Sequence, residues 1–191
     1  ACPGLGKTLF ADGFTFLRQE QNLNYGPGCN LGATQAQGEY LLFLNNDTIA
    51  RGNWLPPLIQ ALERYQALGA VSPLLLHPPF GPFTERVQHA GVVFEPQLYP
   101  LHLYEHFPAQ HPLVRKRRAL QALSGAALMV RSGLFKGLGG FHEEFVNGGE
   151  DLDLSLLIRQ QNLGLACVPE SRILHLVSQT PGRHSHEAHN A

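Results

Sequence analysis

The chain has 191 residues, of which 43% are hydrophobic and only 15% charged, a balance that describes one folded domain and not a disordered segment. Lys+Arg number 14 against 15 Asp+Glu, so the formal net charge is -1, which excludes a generally basic nucleic-acid binder. Cys2, Cys29 and Cys167 lie too far apart for a zinc ribbon or a CxxC redox site and fit a reducing compartment, and no apolar run approaches the roughly 18 residues of a membrane span.

In chain order, residues 14–18 read as a short strand and residues 22–29 as a Gly/Pro/Asn loop. Asn30 is placed to cap a short helix through Ala36, with Gly38 as its stop. Residues 39–44 form a continuous apolar run, the pattern of a strand buried on both faces, and it ends at Asn45-Asn46-Asp47-Thr48. Asn53 can cap the next helix, whose first turn tolerates Pro56 and Pro57 and whose face carries Leu55, Leu58, Ile59, Leu62 and Tyr65. Gly69 ends it. A second buried strand is expected over 70–76, a Pro-rich loop over 77–83 and a strand near 90–94. Residues 95–118 are irregular and include the basic run Arg115-Lys116-Arg117-Arg118. A strand follows over 126–130, then a short helix around 133–138 and the best helix of the chain over 150–162, with Leu154, Leu157, Ile158 and Gln161 on one face. Short strands are expected over 165–168 and 172–176. Alternating strands and helices predict an α/β fold with a largely parallel sheet. Both ends read as cut, so the chain is expected to be a piece of a longer protein.

Several residue groups have both a chemical and a plain structural reading. Asn45-Asn46-Asp47 leaves a buried strand where α/β folds bind ligands, and a carboxylate there can hold Mg²⁺ or Mn²⁺; the same residues suit an ordinary Asx turn. Glu150, Asp151 and Asp153 open a helix after Gly148-Gly149. The helix dipole alone accounts for acids there, while a carboxylate at a helix start beside a cleft can also work as a general base. His175 is either structural or, with Asp47, half of a hard-metal site. Residues 1–8 match a relaxed phosphate-loop pattern ending in Lys7-Thr8, but no strand precedes them. His184, His186 and His189 read as a polar tail, and the basic run as a solvated loop or a contact for phosphate or an anionic surface.

The order of these motifs is more specific than any one of them. Asn22-x-Asn24-Tyr25, Asn30-x-Gly32, the run from Gly38 to Thr48, Gln88-His89-Ala90-Gly91-Val92, Leu123-Ser124-Gly125-Ala126-Ala127, Gly139-Gly140-Phe141, Gly149-Glu150-Asp151-Leu152-Asp153 and His175 together resemble the family 2 glycosyltransferases, in particular the bacterial branch that builds surface polysaccharides and includes rhamnosyltransferase-like enzymes. The resemblance covers roughly residues 14–182 as a partial catalytic domain, leaving 1–13 as an atypical lead and 183–191 as a His-rich tail. It implies the GT-A fold, a mostly parallel central sheet flanked by helices, here lacking its N-terminal strands. It further implies an inverting enzyme that moves a sugar from a UDP-, dTDP- or GDP-linked donor to a hydroxyl of a saccharide or lipid-linked saccharide, with Mg²⁺ or Mn²⁺ as cofactor and no nucleic-acid partner.

Residue by residue, the resemblance gives Asp151 the role of catalytic base with Glu150 beside it. Asn45, Asn46, Asp47, Ser124 and Gly125 fall to donor binding, and Asp47 and His175 to the metal. Asn45 and Asn46 stand where many relatives carry a further acid, Asn24 replaces a common Gly and His142 a common Asp. With the opening strands missing, weak donor binding by this chain alone is expected. The implied location is the cytoplasm, with peripheral contact at the inner membrane. Two alternatives remain open from sequence: a degenerate, non-catalytic glycosyltransferase-like binding module and, more remotely, a P-loop NTPase using Lys7, Thr8 and Asp47.

Overall fold

The computed structural model describes residues 15–79, 85–146 and 148–176. Its elements are α1 (Tyr25–Gln35), β1 (Tyr40–Leu44), β2 (Thr48–Ala50), α2 (Leu55–Arg64), β3 (Leu68–Leu76), β4 (Val87–His89), β5 (Val92–Phe94), β6 (Pro100–His102), β7 (Ala127–Arg131), α3 (Ser132–Gly137), α4 (Glu150–Gln160) and β8 (Gly164–His175). The main sheet runs β1-β7-β3-β8-β2, with β4 paired to the end of β3; β5 and β6 form a separate hairpin.

Strict alternation builds the two faces of that sheet. Leu41, Phe43, Ala70, Leu128, Val130, Leu165 and Cys167 pack with Ala33 of α1, Phe135 of α3 and Leu154 and Ile158 of α4. Their neighbours Val71, Met129, Ala166 and Val168 turn to the other face and meet Leu58, Ala61 and Leu62 of α2. A strand covered on both sides has no polar face, which is why these segments read as unbroken apolar runs. Leu58 and Leu62 are fully buried, and each such burial is worth roughly 1.5–3 kcal/mol.

The sheet corrects the expectation of a mostly parallel arrangement. Among the described residues β3 and β8 are parallel neighbours, whereas β7 runs antiparallel between β1 and β3, and β2 and β4 are antiparallel to β8 and β3. Burial on both faces sets the apolar pattern, and strand direction leaves no mark on it. The strands β1, β3 and β8 nonetheless point the same way, so their carboxyl ends share one edge of the domain.

Other boundaries move for local reasons. Residues 15–18 are not a strand. The first helix begins at Tyr25, with Asn24 at its cap position and Pro27 in its first turn, so Asn30 lies inside it. Trp54, not Asn53, precedes α2. The strand expected near 90–94 is broken at Gly91 (φ 117°), where a Cβ would meet the Leu120 side chain at 2.4 Å. Part of the irregular 95–118 segment returns as β6, and the two short strands expected at the C-terminal side are one long strand, β8. On α4, Glu150, Leu154, Ser155 and Ile158 are buried, while Gln161 is exposed. No helix among the described residues is long and apolar enough to cross a membrane.

Candidate active site

The shared carboxyl edge is where the singled-out residues meet. β1 ends at Leu44 and delivers Asn45, Asn46 and Asp47. The ladder between β2 and β8 pairs Thr48 with His175, which brings Asp47 beside a histidine 128 positions away. Asp47 Oδ1 and His175 Nε2 face each other at 3.2 Å, and both side chains are buried. The turn is tied down by Thr48 Oγ1 donating to the Asn45 carbonyl (2.6 Å) and Leu176 N–H donating to the Asp47 carbonyl (2.8 Å).

The other ring nitrogen of His175, Nδ1, lies 2.7 Å from Gln88 Oε1, while Gln88 Nε2 donates to the His175 carbonyl at 3.5 Å. That network assigns the proton to Nδ1 and turns the Nε2 lone pair toward Asp47. Asp47 Oδ1 is buried and accepts no hydrogen bond from the described residues. A carboxylate oxygen and an imidazole nitrogen thus face each other at ion-pair distance. A proton shared between them makes the pair an ion pair, and a carboxylate oxygen and an imidazole nitrogen are also ligand types that fit a Mg²⁺ or Mn²⁺ ion.

Asp151 lies in the first turn of α4, with its carboxylate directed at the 123–126 loop. Its Oδ2 accepts Gly125 N–H at 2.7 Å and its Oδ1 accepts Leu152 N–H at 2.8 Å. Burial pushes the carboxyl above the usual carboxylate value, and the backbone N–H bonds from Gly125 and Leu152 pull the other way. Glu150, beside it, is buried. Gly125 is held from its other side by Tyr25, whose hydroxyl donates to the Gly125 carbonyl at 2.5 Å. A Cβ at Gly125 would stand 2.9 Å from Tyr25 Oη and 3.3 Å from Asp151 Cβ, so the close approach requires glycine. Tyr25 itself is raised well above the ordinary phenol value, chiefly by burial, and burial pushes the neighbouring Cys29 thiol up to about 11.

The 123–126 loop joins the two corners. Each of its four backbone N–H groups donates to a side chain: Leu123 to Ser155 Oγ (3.1 Å), Ser124 to His89 Nε2 (3.2 Å), Gly125 to Asp151, and Ala126 to Ser124 Oγ (3.3 Å). The Ala126 carbonyl accepts Asn45 N–H at 2.9 Å, which ties the loop to the Asp47 turn. His89 is fully buried. Because its Nε2 accepts from Ser124, its proton is on Nδ1, which donates to His102 Nδ1 at 2.8 Å. Burial, with His102 and His175 nearby, pushes His89 down to about 3, so it stays neutral.

Asn45, Asp47, Ser124, Gly125, Asp151 and His175 therefore line one edge, Glu150 is buried at the base of α4, and Asn46 is exposed beside them. Tyr25, Gln88, His89 and His102 also belong here, and sequence reasoning gave them no role. The signal was a polar Gln88-His89 pair inside an apolar stretch. Asn30 works across the fold: its Nδ2 donates to the Phe141 carbonyl (2.8 Å) and its Oδ1 accepts Phe141 N–H (2.9 Å), which pins the turn before α4. Of the basic run, Arg117 donates to Tyr65 Oη (3.0 Å) and Arg118 stacks on Tyr104 at 5.1 Å, while Arg115 and Lys116 are exposed. Lys7, Thr8 and the tail histidines His184, His186 and His189 lie outside the described residues.

A mixed α/β sheet flanked by helices is the architecture of GT-A glycosyltransferases. The superposition on GalNAc-T7, solved with UDP, GalNAc and Mn²⁺, agrees: TM-score 0.66 over 84% of this chain and 32% of that one, at 21% identity. The chain belongs to glycosyl transferase family 2, whose model matches residues 6–138. It is 33% identical over 166 residues to the O-antigen biosynthesis protein RfbC of Myxococcus xanthus, covering 83% of this chain and 12% of that protein. It is 26% identical over 180 residues to an N-acetylglucosaminyl-diphospho-decaprenol L-rhamnosyltransferase of Mycobacterium tuberculosis, covering 85% of this chain and 58% of the relative. The chain thus spans only part of either relative's length. Family membership leaves the phosphate-loop alternative without support.

Proposed function

We propose that this domain transfers a sugar, with inversion at the anomeric carbon, from a nucleotide-diphosphate donor to a hydroxyl acceptor in bacterial surface-polysaccharide synthesis. The observation that carries the reading is the 123–126 loop, which is bonded at once to Asp151 and to the strand end that bears Asp47. In this reading Asp151 is the general base. Each of its oxygens receives one backbone N–H, so each keeps a lone pair for an incoming acceptor O–H. The acceptor oxygen forms a bond to the anomeric carbon as its proton passes to Asp151. The bond from that carbon to the phosphate oxygen breaks, and its electron pair leaves with the diphosphate. Burial raises the carboxyl above its ordinary value, which makes Asp151 a stronger base toward the acceptor O–H, while the Gly125 and Leu152 N–H groups favour its ionised form.

Asp47 and His175 would hold the Mg²⁺ or Mn²⁺, which supplies positive charge to the departing diphosphate. Asn45, Asn46, Ser124 and Gly125 would border the donor, and Glu150 would support the base from within the helix. The O-antigen relative supports a saccharide product. The decaprenol-linked relative supports a lipid-linked acceptor, and with it a cytoplasmic domain working at the face of the inner membrane. UDP-, dTDP- and GDP-sugars are the donor classes to test.

The test is a transfer assay with Mn²⁺, each donor class, and saccharide and lipid-linked acceptors, with the product's anomeric configuration read by NMR. Inverted product from one donor class, lost in Asp151→Asn, is the expected result. Retained configuration would overturn single displacement, and undiminished transfer by Asp151→Asn would remove the base.

A further inference from the structure

Apart from that edge, a second group of ligand-type side chains converges. His77 follows β3, and Glu105 and His106 sit in the turn after β6. Glu105 Oε1 is 3.8 Å from His77 Nε2 and 4.0 Å from His106 Nε2, and the three ligand atoms all lie within 4.8 Å of one another. The two imidazoles stack with centroids 4.9 Å apart and planes 9° from parallel.

The backbone beneath them is fixed by one short segment. His77 N–H donates to the Arg86 carbonyl (2.9 Å) and His106 N–H to the Val87 carbonyl (2.7 Å), while Arg86 Nη1 donates to the His106 carbonyl (3.0 Å). Tyr104 and His106 hold φ values of 60° and 65°, and such non-glycine conformations persist where the surroundings over-determine them. His77 Nε2 is buried and has no hydrogen-bond partner among the described residues. Burial, with His106 alongside and Glu105 opposing, pushes His77 below the usual imidazole value, so its lone pair is available at neutral pH.

We propose that His77, Glu105 and His106 form a site for a first-row transition ion of the Zn²⁺ type, separate from the Asp47–His175 corner. Two imidazole nitrogens and one carboxylate oxygen with an open fourth position suit zinc, whereas Mg²⁺ and Ca²⁺ favour oxygen-only sets. Bond lengths of about 2.0–2.1 Å place tetrahedral ligands roughly 3.3 Å apart. The ligands therefore close inward on binding, and exposed His106 tips out of the stack to aim its nitrogen. The ion would clip the turn after β6 to the end of β3. That fixes the strand whose His102 bonds His89, and through it the Ser124 loop. Its role is to position the loop; it does not touch the reacting atoms.

Cobalt absorption is the test, because Co²⁺ in a tetrahedral nitrogen–oxygen site absorbs far more strongly than in an octahedral oxygen-rich one. CoCl₂ would be titrated into the protein, into Glu105→Gln and His106→Gln, and into two controls: Asp47→Asn, and a variant with His184, His186 and His189 all changed to Gln. Both ligand variants alter exposed side chains, so folding should survive, and circular dichroism checks it. The intense band is expected in the unaltered protein and in both controls, and at least about 10-fold weaker binding is expected in each ligand variant. Unchanged binding in His106→Gln, disappearance of the band in either control, or no intense band in the unaltered protein would each overturn the site.

Discussion

The two carboxylates at the carboxyl edge of the sheet are held in opposite ways. Both oxygens of Asp151 accept backbone N–H groups, and a glycine with no room for a side chain sits against it. Asp47 Oδ1 accepts no hydrogen bond from the described residues and faces an imidazole nitrogen across 3.2 Å. Fixed donors orient a carboxylate and favour its ionised form, which suits proton transfer. A carboxylate oxygen facing an imidazole nitrogen suits a cation. The contrast matches the different work proposed for the two acids, and four substitutions test it.

Asp151→Asn carries the largest expected effect. General-base assistance is worth about 10²–10⁴-fold, so kcat should fall by that factor while donor affinity stays within a few-fold. The pH dependence carries a second signature. With its pKa raised in the fold, Asp151 adds stability below the ordinary carboxylate value, and that contribution is lost as pH rises through the raised value. The Asn variant has no such loss. Its Tm relative to the unaltered protein should therefore climb across that window, and a flat difference would show that Asp151 is not strained by burial.

Asp47→Asn should act on the cation instead. With Mn²⁺ and the cognate nucleotide at about 100 times Kd, the unaltered protein gains about 2.7 kcal/mol. For a domain of this length that is a Tm rise of roughly 5–10 °C, read by thermal denaturation. The variant should lose the rise. Without metal it should be at least as stable as the original, because an amide N–H can donate to His175 Nε2. A lower metal-free Tm would mean that the pair is an ordinary ion pair.

Much of this was legible in the sequence, and the remainder was hidden for definable reasons. The apolar runs gave β1, β3 and β7 because residues buried on both faces leave no polar alternation, but the same burial concealed that β7 runs against its neighbours. The acids at Asp47 and Asp151 stood out beside turn residues. Their company did not: the Tyr25–Gly125 bond spans 100 positions, and no local pattern encodes it. Asn30 looked like a cap because its type favours caps, yet its amide is spent on Phe141. His89 stood within a matched motif and as a polar residue in an apolar strand, yet neither mark says that its ring bonds Ser124 and His102. The pairing of Asp47 with His175 had been one of two readings, and the β2–β8 ladder brings the two residues together.

Gly125→Ala probes how tightly the proton-transfer corner is built. The new Cβ would need Tyr25 or Asp151 to move, since the gaps are 2.9 Å to Tyr25 Oη and 3.3 Å to Asp151 Cβ. Overpacking of this kind costs about 1–3 kcal/mol. A displaced base lowers kcat as well, by roughly 10–100-fold if the carboxylate moves by an ångström. Mn²⁺ affinity should hold, because Asn45 reaches the loop through the Ala126 carbonyl and not through Gly125. A matching loss of metal affinity would mean that the two corners move as one unit.

Tyr25→Phe is the mildest of the four and the sharpest on cause. It removes one hydroxyl and leaves the Gly125 carbonyl unpaired, at a cost of about 1 kcal/mol, or a Tm fall of roughly 2–4 °C. Asp151 keeps its own bonds to Gly125 and Leu152, so the position of the base is then set from one side only. If Tyr25 acts by holding Gly125, kcat should fall by less than about 10-fold, and the fall should vanish in an Asp151→Asn background, where there is no base left to orient. Should the two losses simply add, Tyr25 would be acting on substrate directly, and the proton-transfer corner would contain a second group that touches the reacting molecules.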